Sequence, residues 1–162
     1  MDKPELVLQR TFDAPRELVF KIWTDPAYVA RWWGVEGCTI VTCELDVRPS
    51  GTFRIDMKTQ DGNVYVNRGI YVDVRPNEYI SYRDVRDPAD LPGPIPSGFH
   101  STTFEDAWGK TLVTLTSRFD SVADRDLMAR LGVIGGITQS FDRLERLIQT
   151  LNSAVQTKET FQ

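Results

Sequence analysis

Residues 52–58 read Thr52-Phe53-Arg54-Ile55-Asp56-Met57-Lys58. Apolar and charged side chains alternate one for one, so a strand here sends Phe53, Ile55 and Met57 to a core and Arg54, Asp56 and Lys58 to water. The same period of two extends outward from residue 38 to 119. It is interrupted at Pro49-Ser50-Gly51, Asp61-Gly62-Asn63, Arg75-Pro76-Asn77 and Trp108-Gly109-Lys110, residues that favour turns. Strands are expected near 38–47, 51–59, 63–74, 78–86, 99–108 and 111–119, joined by hairpins into an antiparallel meander. One connection differs: Asp87 to Gly98 carries Pro88, Pro92, Pro94 and Pro96 and is longer than a hairpin needs.

Upstream, ELVLQRTFD over 5–13 places Leu6, Leu8, Arg10 and Phe12 on one side and reads as a first strand despite the charge at position 10. Pro15 then opens a helix over 15–24 with Leu18, Val19, Ile22 and Trp23 on one face. Asp25 is placed to cap a second short helix, with Pro26 at its first position and Val29, Trp32 and Trp33 on its buried side up to Gly34. Downstream, a short helix over 124–130 ends near Gly132. Ile137, Phe141, Leu144, Leu147, Ile148 and Leu151 then recur at spacings of three and four, making 136–152 an amphipathic helix aimed at the sheet. Gly132-Val133-Ile134-Gly135-Gly136 reads as a flexible joint that lets this helix approach the sheet closely. Residues 1–152 are expected to form one domain, and 153–162, where the periodicity ends, a frayed tail. The fold class is α+β: a curved seven-stranded antiparallel sheet wrapped around a long C-terminal helix, with two short helices after the first strand.

A chain of 162 residues buries roughly 68–70% of its unfolded surface, enough for one substantial core. Nineteen Lys and Arg against twenty-three Asp and Glu give a net charge of −4, and the basic residues are interspersed with acidic ones, which argues against a nucleic-acid partner. No apolar run reaches signal-peptide length at the N-terminus or the ~20 residues of a membrane span, so a cytoplasmic location is expected. Cys38 and Cys43 on one strand stand roughly 16 Å apart on opposite faces. A disulfide needs roughly 4.4–6.8 Å, so free thiols are expected. Two Cys and one His are too few for a recognisable zinc site, and no phosphate-binding glycine loop or nucleophile elbow occurs. No cofactor is called for.

Particular strings carry a resemblance. Phe12-Asp13-Ala14-Pro15-Arg16-Glu17-Leu18-Val19-Phe20, then Trp23-Thr24-Asp25-Pro26 and Trp32-Trp33-Gly34, are followed by Gly69-Ile70-Tyr71, Pro76-Asn77-Glu78-Tyr79-Ile80 and Thr111-Leu112-Val113-Thr114-Leu115-Thr116. Together they resemble the START-like, birch-pollen-allergen-like helix-grip superfamily. Within it they are most similar to the branch named after the activator of heat-shock protein 90 ATPase. The resemblance covers about residues 5–152 and implies the helix-grip fold; function does not follow from fold alone. It also leads one to expect a bulky aromatic near position 137, where this chain has Gly135-Gly136-Ile137.

The candidate ligand-binding residues are Trp32, Trp33, Met57, Tyr71, Tyr82, His100 and Phe104; no catalytic or metal-ligating residue is assigned. Trp32 and Trp33 end a short helix, where large flat side chains either line a cavity or close the core. Met57, Tyr82 and Phe104 face the concave side if Ile55, Ile80 and Thr102 set the parity. Met57 and Phe104 read equally as core, whereas a buried Tyr82 hydroxyl needs a partner that a ligand can supply. Tyr71 offers the same chemistry, but the run 64–74 is apolar or neutral on both faces and leaves its side open. His100 is the only histidine, and acid–base work would require a carboxylate within hydrogen-bond reach. Glu44, Asp56 and Asp73 are the carboxylates considered, each reading equally as an outer-face residue. Arg83 and Arg118 face outward by the alternation.

Three functions fit these residues. The first is a noncatalytic module holding a small, mostly apolar or amphipathic molecule between sheet and C-terminal helix. The second, implied by the resemblance, is an interaction protein that modulates a chaperone ATPase, with the chaperone as partner. The third is a cyclase- or hydratase-like enzyme working in the same cavity. The stiff connection 87–98 is expected as a lid, with the cavity opening between it and the tryptophan end of the second short helix; a homodimer interface is its other reading.

Overall fold

The computed structural model of the chain describes residues 2–90 and 95–160, the last five of them by backbone alone. Seven strands follow the meander: β1 (Glu5–Phe12), β2 (Thr39–Leu45), β3 (Thr52–Lys58), β4 (Val64–Arg75), β5 (Tyr79–Asp84), β6 (Phe99–Ala107) and β7 (Lys110–Arg118). They form one antiparallel sheet in the order β1-β7-β6-β5-β4-β3-β2. The first strand therefore pairs with the last, Glu5 opposite Arg118 and Phe12 opposite Thr111.

Two short helices bridge β1 and β2: α1 (Arg16–Thr24) and α2 (Pro26–Trp32). Asp25 caps α2 by accepting from the Ala27 amide at 3.0 Å, with Pro26 at the first helical position, where its missing N–H costs nothing. Ser121 caps α3 (Val122–Arg130) through the Asp124 amide. The last helix, α4 (Val133–Thr160), runs past residue 152. The apolar stripe ends near Leu151, but no Gly or Pro follows and the residues after it are tolerable or good helix formers, so the backbone stays helical where a frayed tail was expected.

The core fills the space between the concave face, α1, α2 and α4. Phe12, Val19, Ile22, Phe104, Val113, Phe141, Leu144 and Ile148 are almost entirely buried in it. Arg10 explains how a charge fits β1: its guanidinium pairs with Asp142 on α4 at 2.7 Å and lies 5.7 Å from the centre of the Phe141 ring. The glycine pair in α4 is not there for close approach. A methyl group at Gly135 would meet nothing within 4 Å, and one at Gly136 only Val35 at 3.8 Å. Gly135→Ala should therefore stabilise the protein by about 0.5–1 kcal/mol, read from urea unfolding; destabilisation would show that the first turns of α4 require glycine's freedom.

Two bulges break the alternation. In β4 the register shifts between Tyr71 and Asp73, so Tyr71 lies opposite Tyr82 and Val74 opposite Ile80. The extra residue is Val72, and both Tyr71 and Val74 turn inward, which a strict period of two could not have shown. In β2 the shift lies between Ile40 and Thr42 and sets Cys43 opposite Ile55. Cys38 precedes the strand, with its sulfur near the Met57 sulfur beneath Gly34. Both cysteines are free, but the opposite-face premise is corrected: the bulge brings both to the concave side.

Candidate functional site

β3, β4 and β5 bring three aromatic rings together on the concave face. Phe53 lies 5.4 Å from Tyr71 and 5.0 Å from Tyr82, centre to centre, and the two tyrosines are 6.4 Å apart. The Phe53 ring lies over β4 because the residue opposite it is Gly69, where a Cβ would stand 2.3 Å from the ring. Trp23, Val29, Trp32 and Trp33 close the box from the helix side, and Leu45, Ile55 and Ile80 complete its apolar wall. Trp32 is fixed by its indole N–H, which donates to the Ile22 carbonyl at 3.0 Å. Asn67, Arg68, Asp84 and Arg86 form the polar end.

The space between them is about 90 Å³. That is room for several waters at ~10–15 Å³ each and well short of the roughly 300–1,000 Å³ of drug-sized pockets. No residue of α4 contributes to its described wall. The volume beneath α4 is packed, and the cavity lies between the tryptophans of α1 and α2 and strands β2 to β5, correcting the expected position under the C-terminal helix.

The two tyrosine hydroxyls have no hydrogen-bond partner among the described residues. Burial, and for Tyr82 also the nearby Asp84 carboxylate, pushes both phenols above their ordinary range; they are O–H donors at any physiological pH. At the polar end, Asp84 Oδ2 accepts from His100 Nε2 at 2.9 Å, Arg86 Nη2 at 3.1 Å and the Gly98 amide at 2.9 Å. Burial raises the Asp84 carboxyl, but the His100 hydrogen bond and charge, Arg86 and the Gly98 N–H together outweigh it and hold the group below the usual carboxylate range. Because Nε2–H points to Asp84, a neutral His100 accepts the Ser117 hydroxyl at Nδ1, 2.8 Å away. This Ser-His-Asp line lacks an accessible nucleophile: Ser117 is buried and lines neither the cavity nor the outer groove. The serine orients the imidazole. That groove, about 560 Å³, shares Asp84 with the cavity and is otherwise lined by Arg83, Gly98, Phe99, Arg118 and their neighbours.

The tryptophan wall is strapped to α4. Ser140 Oγ accepts from the Gly34 amide and donates to a carbonyl of the same strap, Gln139 accepts from the Glu36 amide, and Arg143 Nη1 donates to the Trp33 and Val35 carbonyls and to Cys38 Sγ.

Of the residues picked from the sequence, Trp32, Trp33, Tyr71 and Tyr82 lie on the cavity wall. His100 stands behind it, stacked 4.8 Å from Tyr82. Phe104 is core, edge-on to Phe20 and Trp23, and Met57 sits beneath Gly34 outside the wall. None of Glu44, Asp56 and Asp73 reaches His100. Asp56 is on the outer face yet buried, held bidentately by Arg54. The carboxylate in reach is Asp84, two residues beyond Tyr82 and four beyond Ile80, on the same side of a regular strand; the parity marks both it and Arg86 as inward. Arg83 and Arg118 are exposed. Residues 91–94, at the centre of the expected lid, lie outside the described residues; of its flanks, Asp90 pairs with Arg68 at 2.7 Å and the Pro96 carbonyl accepts from Arg86.

A curved sheet closed over by helices, with an aromatic cavity on its concave side, defines the helix-grip class. The family model of the Activator of Hsp90 ATPase homolog 1-like protein matches residues 13–149, and the chain belongs to that family. Among solved structures, a protein from Nitrosomonas europaea is 22% identical with a TM-score of 0.83, covering 94% of this chain and 99% of that one. One from Mycobacterium smegmatis is 24% identical with a TM-score of 0.81, covering 90% and 91%. A protein from Rhizobium leguminosarum described as putative and uncharacterized is 28% identical with a TM-score of 0.70, covering 90% and 94%. No curated protein matches the sequence. No described helix is long and apolar enough to cross a membrane.

Proposed function

We propose that the protein is a noncatalytic module that binds a small, mostly apolar molecule in the aromatic cavity between the tryptophans and strands β2 to β5. One observation carries this reading: Tyr71 and Tyr82 line the cavity with Phe53 and the tryptophans, and neither tyrosine hydroxyl has a hydrogen-bond partner among the described residues. Neither hydroxyl is sealed in protein, since no buried side-chain oxygen among the described residues lacks a partner, so each is open to a partner that a bound molecule can supply. The volume limits that molecule to a single ring or its equivalent.

Benzene, titrated into the full chain and followed by amide chemical shifts, should perturb residues around Trp33, Phe53, Tyr71 and Tyr82 and leave the α3 region unchanged. Trp33→Ala should weaken this binding at least about fivefold, since losing a wall aromatic is worth about 1 kcal/mol or more, while lowering stability less than Phe141→Ala does. Shifts scattered over the molecule, or none at all, would sink the reading.

A further inference from the structure

We infer that Tyr71 donates a hydrogen bond to the bound molecule, so that the cavity takes a ring compound bearing a carbonyl oxygen. This inference rests on the binding reading above and specifies its ligand. Tyr71 is only 6% exposed, yet its hydroxyl has no partner among the described residues and is not sealed in protein. What remains exposed of the residue therefore includes that oxygen. Of the two spaces described, Tyr71 borders the aromatic cavity and takes no part in the outer groove.

Two departures from regular backbone meet at this residue. The pairing of β3 with β4 ends at Thr52 opposite Ile70. Beyond it, Tyr71 is held by the loop between β2 and β3: its amide donates to the Gly51 carbonyl at 2.8 Å, and its carbonyl accepts from the Ser50 amide at 2.8 Å. Ser50 reaches that position from the left-handed region, with φ 68°, which residues other than glycine seldom adopt. On the other side the Val72 bulge follows at once, and bulges re-aim side chains where a strand borders a site. Phe53 packs its ring beside Tyr71 at 5.4 Å from a stretch of β3 without a register shift, so both irregularities fall on the residue that carries a hydroxyl.

A phenol oxygen shares its lone pairs with the ring and is a better donor than acceptor, and burial keeps this one protonated. Its complement is an acceptor. A carbonyl oxygen accepts without adding a donor that the wall would have to satisfy in turn. Asp46, the carboxylate that acts on Tyr71, is half exposed and paired with Arg48 at 2.9 Å, which leaves little charge to oppose an acceptor there. Tyr82 lines the same cavity, its ring 6.4 Å away, but from a strand that pairs with β6 without a shift and beside the largely buried Asp84 carboxylate. It is the natural control.

The test titrates benzene and cyclohexanone into the full chain, followed by amide chemical shifts, in the wild type, Tyr71→Phe and Tyr82→Phe. Each substitution keeps the ring and removes the oxygen, and comparing the two probes within one variant cancels effects on the cavity at large. Tyr71→Phe should weaken cyclohexanone at least about fivefold, the worth of one neutral hydrogen bond, while benzene stays within about twofold. In Tyr82→Phe the ratio of the two affinities should stay within about twofold of the wild-type ratio. Four results overturn the inference and leave the binding reading standing: no binding of cyclohexanone to a wild type that binds benzene, an unchanged ratio in Tyr71→Phe, loss of both probes alike in that variant, or a ratio that falls in Tyr82→Phe instead. Absence of binding by both probes to the wild type defeats the binding reading and this inference with it.

Discussion

Phe141→Ala is expected to cost about 3–5 kcal/mol of folding stability, as a large-to-small change in a packed core. Phe141 is 3% exposed. Its ring stands edge-on to Phe12 at 5.6 Å and near Trp23 at 5.8 Å, with the Arg10 guanidinium above it. Three elements therefore meet at this one side chain, and the void left by truncation is bounded by a strand and two helices that cannot close on it independently. Urea unfolding measures the loss. A value below about 1 kcal/mol, ordinary for a surface site, would mean that α4 is not docked on β1 and α1 as described.

Asp84→Ala should be nearly as severe, about 3–5 kcal/mol, because removing one partner leaves the others buried and uncompensated. Asp84 and His100 side chains are 11% and 13% exposed, so water cannot readily replace the lost carboxylate. Asp84→Asn keeps an acceptor for part of the network and should cost less. The pH dependence follows from the direction of the shift. The native carboxyl lies below its ordinary value, about 3.9 in the unfolded chain, so the unfolded state takes up the proton first as the solution is acidified. The stabilisation is complete above about pH 5 and is lost as pH falls through the native pKa. The margin of wild type over Asp84→Asn should accordingly shrink progressively as pH falls below about 5; a margin unchanged between there and acid unfolding of the wild type would show that the charge on Asp84 does not stabilise the fold.

The architecture was legible because both hydrophobic periods are strong: TFRIDMK and its flanking hairpins announce a one-sided sheet, and Phe141 to Leu151 announces the helix. What failed was parity and reach. Tyr71 could not be assigned a face because Val72 bulges, and a bulge leaves little mark in a run that is apolar on both sides. A straight strand puts Cys38 and Cys43 on opposite faces for the same reason, since the bulge between Ile40 and Thr42 leaves as little mark. Asp84 does not stand out in the sequence, because a charge in a strand ordinarily points to water, although Ile80 and Tyr82 fix its side by the same rule that places Phe53. The cavity's position under the tryptophans depends on how α1 and α2 lie across the sheet, which is a matter of packing between distant residues and not of local pattern.

The pairing of β1 with β7 and the strap from Gly34 to Ser140 have a consequence for the order in which the protein is made. A chain leaving the ribosome at about 5–20 residues per second exposes β1, α1 and α2 first, yet β1 finds its neighbour only after Arg118 has emerged. The tryptophan wall gains its anchor later still, when Ser140 and Arg143 arrive. Until then Trp23, Trp32 and Trp33 sit on a nascent segment that has neither its strand partner nor its strap. The aromatic cavity is thus among the last features to be completed during synthesis, and a prematurely terminated chain ending before α4 leaves its tryptophans without the strap that fixes them.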